Sequence, residues 1–416
     1  MVRERIVAVI GTGVMGSAVA LELSKKDNFT VIGLERNLHS VRGENQSSRN
    51  SGVIHAGIYY DPELMPIKAE FCVRGNKELY AFGERHGVPV KRVGKYVVAK
   101  KEEEIPYLEE ILKIARRNGV PNVELVTRDQ MREYEPNIDG IAALSVPSSG
   151  IVEPTSLVAV MQRLAEGNGA YFVGRQELIG IELQPDGTYT LHVNNRRETE
   201  ISEGIHAVVN CAGLYAGDIA RMINPESHYE IIPMRGESAQ FSTRADPRLL
   251  VTRNIYPAPF GFWLADAPDY GAEKGDPARV DIETYKKLLT EGRIERTVGV
   301  HLTPTFGEGN NVSDIVSIGP AKNPGYRRED LRTGLKEPAV YHAEAVRLLP
   351  SLRRTHVTLY QAGNMAKLLG SCDWVTEPDC HNETFWNVLG FDSPGLTAAL
   401  PYGAHVAQKV IRSLQQ

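Results

Sequence analysis

Gln46 to Tyr60 (QSSRNSGVIHAGIYY) is the stretch whose residue types could do chemistry. Ser47, Ser48, Arg49, Asn50 and Ser51 stand in a row and can all form hydrogen bonds. Gly52 and Gly57 follow, where the backbone can leave the usual dihedral regions or lie flat against a planar ring system. His55 lies between the two glycines. An imidazole titrates near neutrality, so it can take a proton from a reacting hydroxyl at physiological pH. An ordinary Ser/Asn/Gly surface loop would have the same composition, so the elements before it decide the reading.

Those elements form a nucleotide-binding unit. Ile6 to Ile10 is a continuous apolar strand, as in a parallel sheet covered on both faces by helices. Gly11, Gly13 and Gly16 follow in G-x-G-x-x-G spacing: the first permits a tight turn, the second leaves room for a pyrophosphate, and the third lets the next helix pack on the strand with its positive end toward the phosphates. A second apolar strand, Thr30 to Leu34, ends at Glu35, nineteen residues after Gly16, where a carboxylate can accept hydrogen bonds from ribose hydroxyls; Arg36 follows it. A nicotinamide domain would continue into another helix and strand of the same winding. This chain enters the polar loop instead, which favours FAD over NAD.

The remaining composition excludes several classes. The 42% hydrophobic and 24% charged content belongs to a globular protein, and 416 residues suffice for two domains. No stretch reaches the roughly 20 apolar residues of a membrane span, and the first strand follows Met1 too closely for a leader, so a cytoplasmic protein is expected, with peripheral membrane contact left open. A net charge of −5 gives no basic field for nucleic acid, and an anionic substrate must be drawn by a local cluster. Cys72, Cys211, Cys372 and Cys380 lack C-x-x-C spacing and read as reduced and mostly buried; no metal site is expected from them.

The run RNSGVIHAGIYY, with Lys68 and FCVRGNKELY after it, resembles the FAD-dependent L-2-hydroxyglutarate dehydrogenases and oxidases, within the larger D-amino-acid-oxidase-like flavoprotein group. The resemblance recurs at VGKYVVA, SVPSSGIVEPTSLV, VVNCAGLYA, PMRGE, GVHLTPT and NVLGFDSPGLTAAL, and so spans nearly the whole chain. It implies oxidation of L-2-hydroxyglutarate to 2-oxoglutarate by hydride transfer to the flavin N5, with electrons passed to a quinone, a carrier or oxygen. His55 is then the candidate base and His301 a second candidate, one holding substrate while the other does acid–base work. Arg235, Tyr59, Lys68, Lys95 and Thr303 are the expected donors to an anionic hydroxy acid. Ala212 and Gly213 should touch the cofactor from the far side, and Gly395, Leu396 and Thr397, at the start of the last helix, should offer N–H groups to its pyrimidine edge. Two places depart from the family: Pro304 stands where an Arg is common, and AGNMAKLL (Ala362 to Leu369) lacks another. A glycerol-3-phosphate dehydrogenase-like enzyme and a non-catalytic flavin-binding partner protein are the alternatives.

Periodicity supplies the frame: helices from Pro66 to Gly87, from Ile105 to Gly119 and over Leu157 to Gly167, a capping box at Thr127 and Gln130, and a strand from His206 to Asn210. The expected architecture is α/β, with a discontinuous Rossmann-like FAD-binding domain (residues 1–86, 141–223 and 355–416) and a second α+β substrate domain on a mixed or antiparallel sheet (87–140 and 224–354). Residues 260–296 form a charged insertion relative to the family, read as a solvated surface segment, or more sharply as a lid or an acceptor interface with one short helix.

Overall fold

A computed structural model describes residues 5–39, 44–258, 260–263, 287, 294–297, 299–307, 311–324 and 327–415. The apolar run at the start forms β1 (Arg5–Ile10), followed by α1 (Val14–Leu23) and β2 (Phe29–Glu35). Val7 and Val9 point into one hydrophobic cluster, Ala8 and Ile10 into another, so the strand is covered on both faces as a parallel strand should be. After the polar loop come β3 (Val53–Ile54) and the long α2 (Pro66–His86), closed by Gly87 in the left-handed region at φ 74°.

The chain then builds β4 (Val90–Lys91), β5 (Lys95–Ala99), α3 (Ile105–Arg117), β6 (Glu124–Thr127), α4 (Arg128–Tyr134), β7 (Ala142–Ser145), β8 (Gly150–Val152), α5 (Pro154–Gly167) and β9 (Tyr171–Gly174). Thr127 and Gln130 cap α4 reciprocally, as their spacing predicts. A three-stranded antiparallel unit, β10 (Glu177–Leu183), β11 (Tyr189–Asn194) and β12 (Thr199–Ile205), leads to β13 (Ala207–Asn210) and α6 (Ala216–Ile223).

The second layer uses β14 (Ile231–Ser242), β15 (Asn254–Pro257), a hairpin of β16 (Phe260–Trp263) and β17 (Ile294–Thr297), β18 (His301–Phe306), β19 (Val312–Pro324), α7 (Pro338–Ala345) and β20 (Thr358–Leu368). The chain ends with β21 (Val375–Asp379), β22 (Asn382–Leu389) and α8 (Gly395–Ser413).

Two sheets dominate. The nucleotide sheet has the order β21-β22-β13-β1-β2-β9, parallel except for β21, and the large sheet the order β20-β14-β19-β18-β15-β5-β7-β6. Two boundaries differ from the sequence reading. Thr358–Leu368 pairs along β14 and belongs to the large sheet, so the last return to the nucleotide sheet comes at Val375 and not near residue 355. Ala142–Ser145 pairs with β5 and β6, so the large sheet also claims the start of the segment assigned from residue 141. In both cases backbone pairing decides, and composition does not show it. Among the cysteines, only Cys72 is buried; Cys372 and Cys380 are exposed, against expectation, because they lie in turns outside the cores. The short helix expected at Ile282, Tyr285, Leu288 and Leu289 falls, apart from residue 287, outside the described residues.

Candidate active site

The cofactor frame is assembled at the C-terminal ends of β1, β2 and β13. An added Cβ at Gly11 would meet Cys211 O at 2.8 Å and Ala212 Cα at 2.9 Å, so the glycine turn and the Ala212–Gly213 turn are brought side by side. At Gly16 it would lie 1.9 Å from Gly11 O, which is why α1 can start so close to the strand. The Glu35 carboxylate is buried at the end of β2, where Oε2 accepts from Thr12 N at 3.1 Å and Oε1 from Asn37 N at 3.1 Å. The Arg36 guanidinium lies 3.9 Å from the centre of the Tyr215 ring and pairs with Glu329 at 3.1 Å, on the rim beside Glu35.

The polar loop closes over this frame. Ser47 Oγ accepts from Val14 N at 2.9 Å, the first helical residue of α1, whose N-cap Gly13 supplies no side-chain cap. Ser48 is turned back onto Asn45, and Asn50 Oδ1 accepts from Gly52 N at 2.8 Å; no contact of the half-buried Ser51 enters the geometry. Arg49 Nη1 donates to Ala362 O at 3.2 Å, and Gln46 Oε1 accepts from Asn364 N, which ties the loop to β20.

His55 follows in a fixed backbone. Its N–H donates to Thr397 Oγ1 at 3.0 Å, and its carbonyl accepts from Asn76 Nδ2 at 2.9 Å. Gly52 and Gly57 on either side take φ of 72° and 95°, which accounts for both glycines. Thr397 belongs to the first turn of α8, which, like α1, begins without a side-chain cap. Gly395 and Leu396 precede it, and the Gly395 amide donates to Asp392 O at 2.7 Å.

The reactive face of the large sheet is set by register. Asn254 lies beside Lys95, and Tyr256 beside Val97, in the parallel β15–β5 pair. The antiparallel pair Ile255–Leu302 places Asn254 next to Thr303 and Tyr256 next to His301. Leu302 and Ile255 turn the other way into the core. The His301 ring stacks on Tyr256 with centroids 3.8 Å apart, and Lys95 Nζ lies 3.8 Å from the centre of Tyr256 and 5.4 Å from that of Tyr59.

Buried polar atoms here have no hydrogen-bond partner among the described residues, including His55 Nδ1, His301 Nε2, Thr303 Oγ1 and Asn254 Oδ1. Such atoms are costly unless something else satisfies them, so they fit a ligand-binding surface. His301 Nδ1 lies 3.1 Å from Gly299 O. A carbonyl only accepts, so Nδ1 carries the proton and Nε2 presents a lone pair. Burial holds this imidazole down at about 3, with Lys95 and Lys322 adding to it and the Gly299 carbonyl opposing. Burial, then Lys95 and His301, likewise keeps His55 well below its ordinary value, so both rings are neutral at physiological pH. Burial also pushes Lys95 down to about 7.

Two expected substrate donors stand elsewhere. Arg235 is fully buried, paired with Glu237 at 2.6 Å and donating to the carbonyls of Thr333 and Gly334 at 2.9 and 3.2 Å. It clamps β14 to the 330–334 segment. Lys68 pairs with Asp392 at 2.7 Å and so supports the loop carrying Ser393, whose Oγ lies 3.4 Å from His55 Nε2. Sequence reasoning missed Asn76, Asn254 and Tyr256; Asn254 and Tyr256 sit two apart in RNIYP, the alternation that puts them on one face.

The residues therefore fit FAD: the glycine turn that opens α1, a buried acid for a ribose, and α8 starting without a side-chain cap beside the histidine loop. A family model described as FAD dependent oxidoreductase (DAO) matches residues 7–409. The L-2-hydroxyglutarate dehydrogenase of Escherichia coli is 28% identical over 97% of this chain and 92% of its own length, and that of Indibacter alkaliphilus is 34% identical over 61% of each. Among solved structures, the L-alpha-glycerophosphate oxidase of Mycoplasma pneumoniae, with FAD bound, superposes with a TM-score of 0.79 at 22% identity, covering 100% of this chain and 95% of that one. No helix among the described residues is long and apolar enough to cross a membrane, and no group of metal-ligating side chains occurs among them. An FAD-binding frame, two neutral imidazoles at its edge and a matching family model over almost the full length make this chain a member of the DAO family of FAD-dependent oxidoreductases.

Proposed function

We propose that the chain oxidises the CH–OH group of a small 2-hydroxy acid, namely L-2-hydroxyglutarate to 2-oxoglutarate. The observation that carries this is the pair of buried imidazole nitrogens without partners among the described residues, beside the buried Lys95 amine, which suits a hydroxyl next to a carboxylate. FAD, when bound, supplies the hydride acceptor at N5. Gly11, Gly13, Gly16, Glu35, Arg36, Ser47, Ser48, Arg49, Asn50, Ser51, Ala212, Gly213 and the Gly395–Thr397 turn would hold it.

The chain's own residues do the rest. His55 takes the hydroxyl proton at Nδ1, since Nε2 has Ser393 for a partner. His301 cannot turn, being stacked on Tyr256 and tied to Gly299, so its ring packs against the bound acid and its Nε2 lone pair is the second candidate acceptor for that proton. Tyr59, Lys95 and Thr303 face the carboxylate, whereas Lys68 and Arg235 act through the loops they brace. The relatives named L-2-hydroxyglutarate dehydrogenase support this choice of substrate. The electrons would pass to a quinone, a carrier or oxygen, with the enzyme in the cytoplasm or at a membrane surface.

Anaerobic mixing of the yellow holoenzyme with L-2-hydroxyglutarate tests the reading. Bleaching of the flavin by this acid and not by glycerol 3-phosphate is expected. Bleaching by glycerol 3-phosphate alone would replace the assignment, and no bleaching by any hydroxy acid, amino acid or polyol phosphate would favour a non-catalytic flavoprotein.

A further inference from the structure

Lys95 is 1% exposed, yet among the described residues no carboxylate forms an ion pair with it. A buried cation without an anion is unfavourable, so burial favours the neutral amine until an anion arrives beside it. Its surroundings repeat the point. Lys95, Asn254 and Thr303 form one cross-strand row, and Thr303 Oγ1 and Asn254 Oδ1 are both buried without partners among the described residues. The Asn254 amide is oriented by Nδ2 donating to Gly94 O at 3.3 Å and Gly150 O at 3.2 Å, which leaves Oδ1 as an acceptor in the row. The ring faces of Tyr256 and Tyr59 flank Nζ and favour its cationic form.

We infer that Lys95 is the seat of the substrate carboxylate and that the anion binds together with a proton, which Lys95 Nζ takes up as the pair forms. This rests on the 2-hydroxy-acid reading above. The step balances as neutral amine, one proton from solvent and one carboxylate giving an ammonium–carboxylate pair; no bond to carbon changes. Thr303 Oγ1 is placed to donate to the carboxylate and Asn254 Oδ1 to accept from the ammonium.

The groups around Nζ do not compete for this proton near neutrality. His55 in the polar loop and His301 on β18 are held low, while Cys72 on α2 and Tyr256 on β15 are held high, in each case chiefly by burial. Lys95, lowered to about 7, is the member of the cluster whose charge changes in that range.

Titration of the oxidised holoenzyme with 2-oxoglutarate, read from the visible flavin spectrum, tests the inference. Between about pH 7.5 and 9 the Kd is expected to rise about tenfold per pH unit, because only the ammonium form pairs well. Lys95→Arg, charged throughout, should bind with a flat profile, and Lys95→Met should weaken binding by at least about thirtyfold at neutral pH. Flavin content and melting temperature show whether the variants are folded, and the wild-type profile stands without them. A flat wild-type profile with 2-oxoglutarate bound, or a slope that survives in Lys95→Arg, would overturn the inference alone. A spectrum that answers to glycerol 3-phosphate and not to 2-oxoglutarate would overturn the hydroxy-acid reading together with the carboxylate seat.

Discussion

Replacing His55 by Gln isolates the proton acceptor from the loop that carries it. The loop backbone is held by Thr397 Oγ1 at 3.0 Å and Asn76 Nδ2 at 2.9 Å, neither of which touches the ring. Among the described residues the ring makes one long hydrogen bond, 3.4 Å to Ser393 Oγ, and its Nδ1 has no partner. Little stability therefore depends on it, and flavin should stay bound in full. Loss of a positioned general base costs about 10²–10⁴ in rate, or roughly 3–5 kcal/mol of barrier. Anaerobic stopped-flow reduction of the flavin by L-2-hydroxyglutarate should thus slow by at least about a hundredfold, with 2-oxoglutarate affinity changed by less than about threefold. The pH profile adds a signature. The His55 pKa is lowered, so the ring stays neutral as pH falls through its ordinary range, and the acid limb of the wild-type rate must lie well below pH 6.5. Reduction within about tenfold of wild type in a flavin-replete His55→Gln protein would remove His55 from the chemistry and pass the role to His301 or water.

Other consequences can be checked beside it. His301→Asn should raise KM and lower the reduction rate together, by about tenfold each, since it loses the fixed ring that packs against the bound acid; an unchanged KM would argue against that role. Arg235→Met leaves Glu237 buried without its cation and should cost about 3–5 kcal/mol in urea unfolding; a mere KM increase with stability intact would return Arg235 to the substrate. Gly75→Val would drive a Cβ to within 2.2 Å of Thr397 O, so the start of α8 must move, and purified protein should carry visibly less flavin. Lys95 is depressed to about 7 in the fold, so between that pH and about 10.5 the unfolded chain binds more protons and this residue makes stability rise with pH. The melting temperature of wild type relative to Lys95→Met should therefore increase from pH 6.5 to 8.5, and a constant difference would contradict the shift.

Much of the nucleotide half is legible because local rules and global packing agree there. The β1–α1–β2 unit, Glu35 and the two loop glycines follow from turn sterics, helix polarity and an apolar run, all of which act within a few residues. The substrate half is harder to read because its key pairs are set by register between distant strands. Nothing near Lys95 announces that Asn254 and Thr303 will lie in its row, and nothing near Arg235 announces that the 330–334 carbonyls will take its donors. An Arg two residues before a Glu on one strand, as in Arg235 and Glu237, puts both side chains on the same face. In PMRGE that spacing argues for an internal pair rather than a free anion receptor.

The stitching of Gln46 and Arg49 to Ala362 and Asn364 bears on how reactants come and go. With the cofactor loop sewn to the edge strand of the large sheet, a clamshell opening between the halves would have to tear that seam. Changes of acid preference are then most simply made in the Lys95 row, which leaves that seam intact.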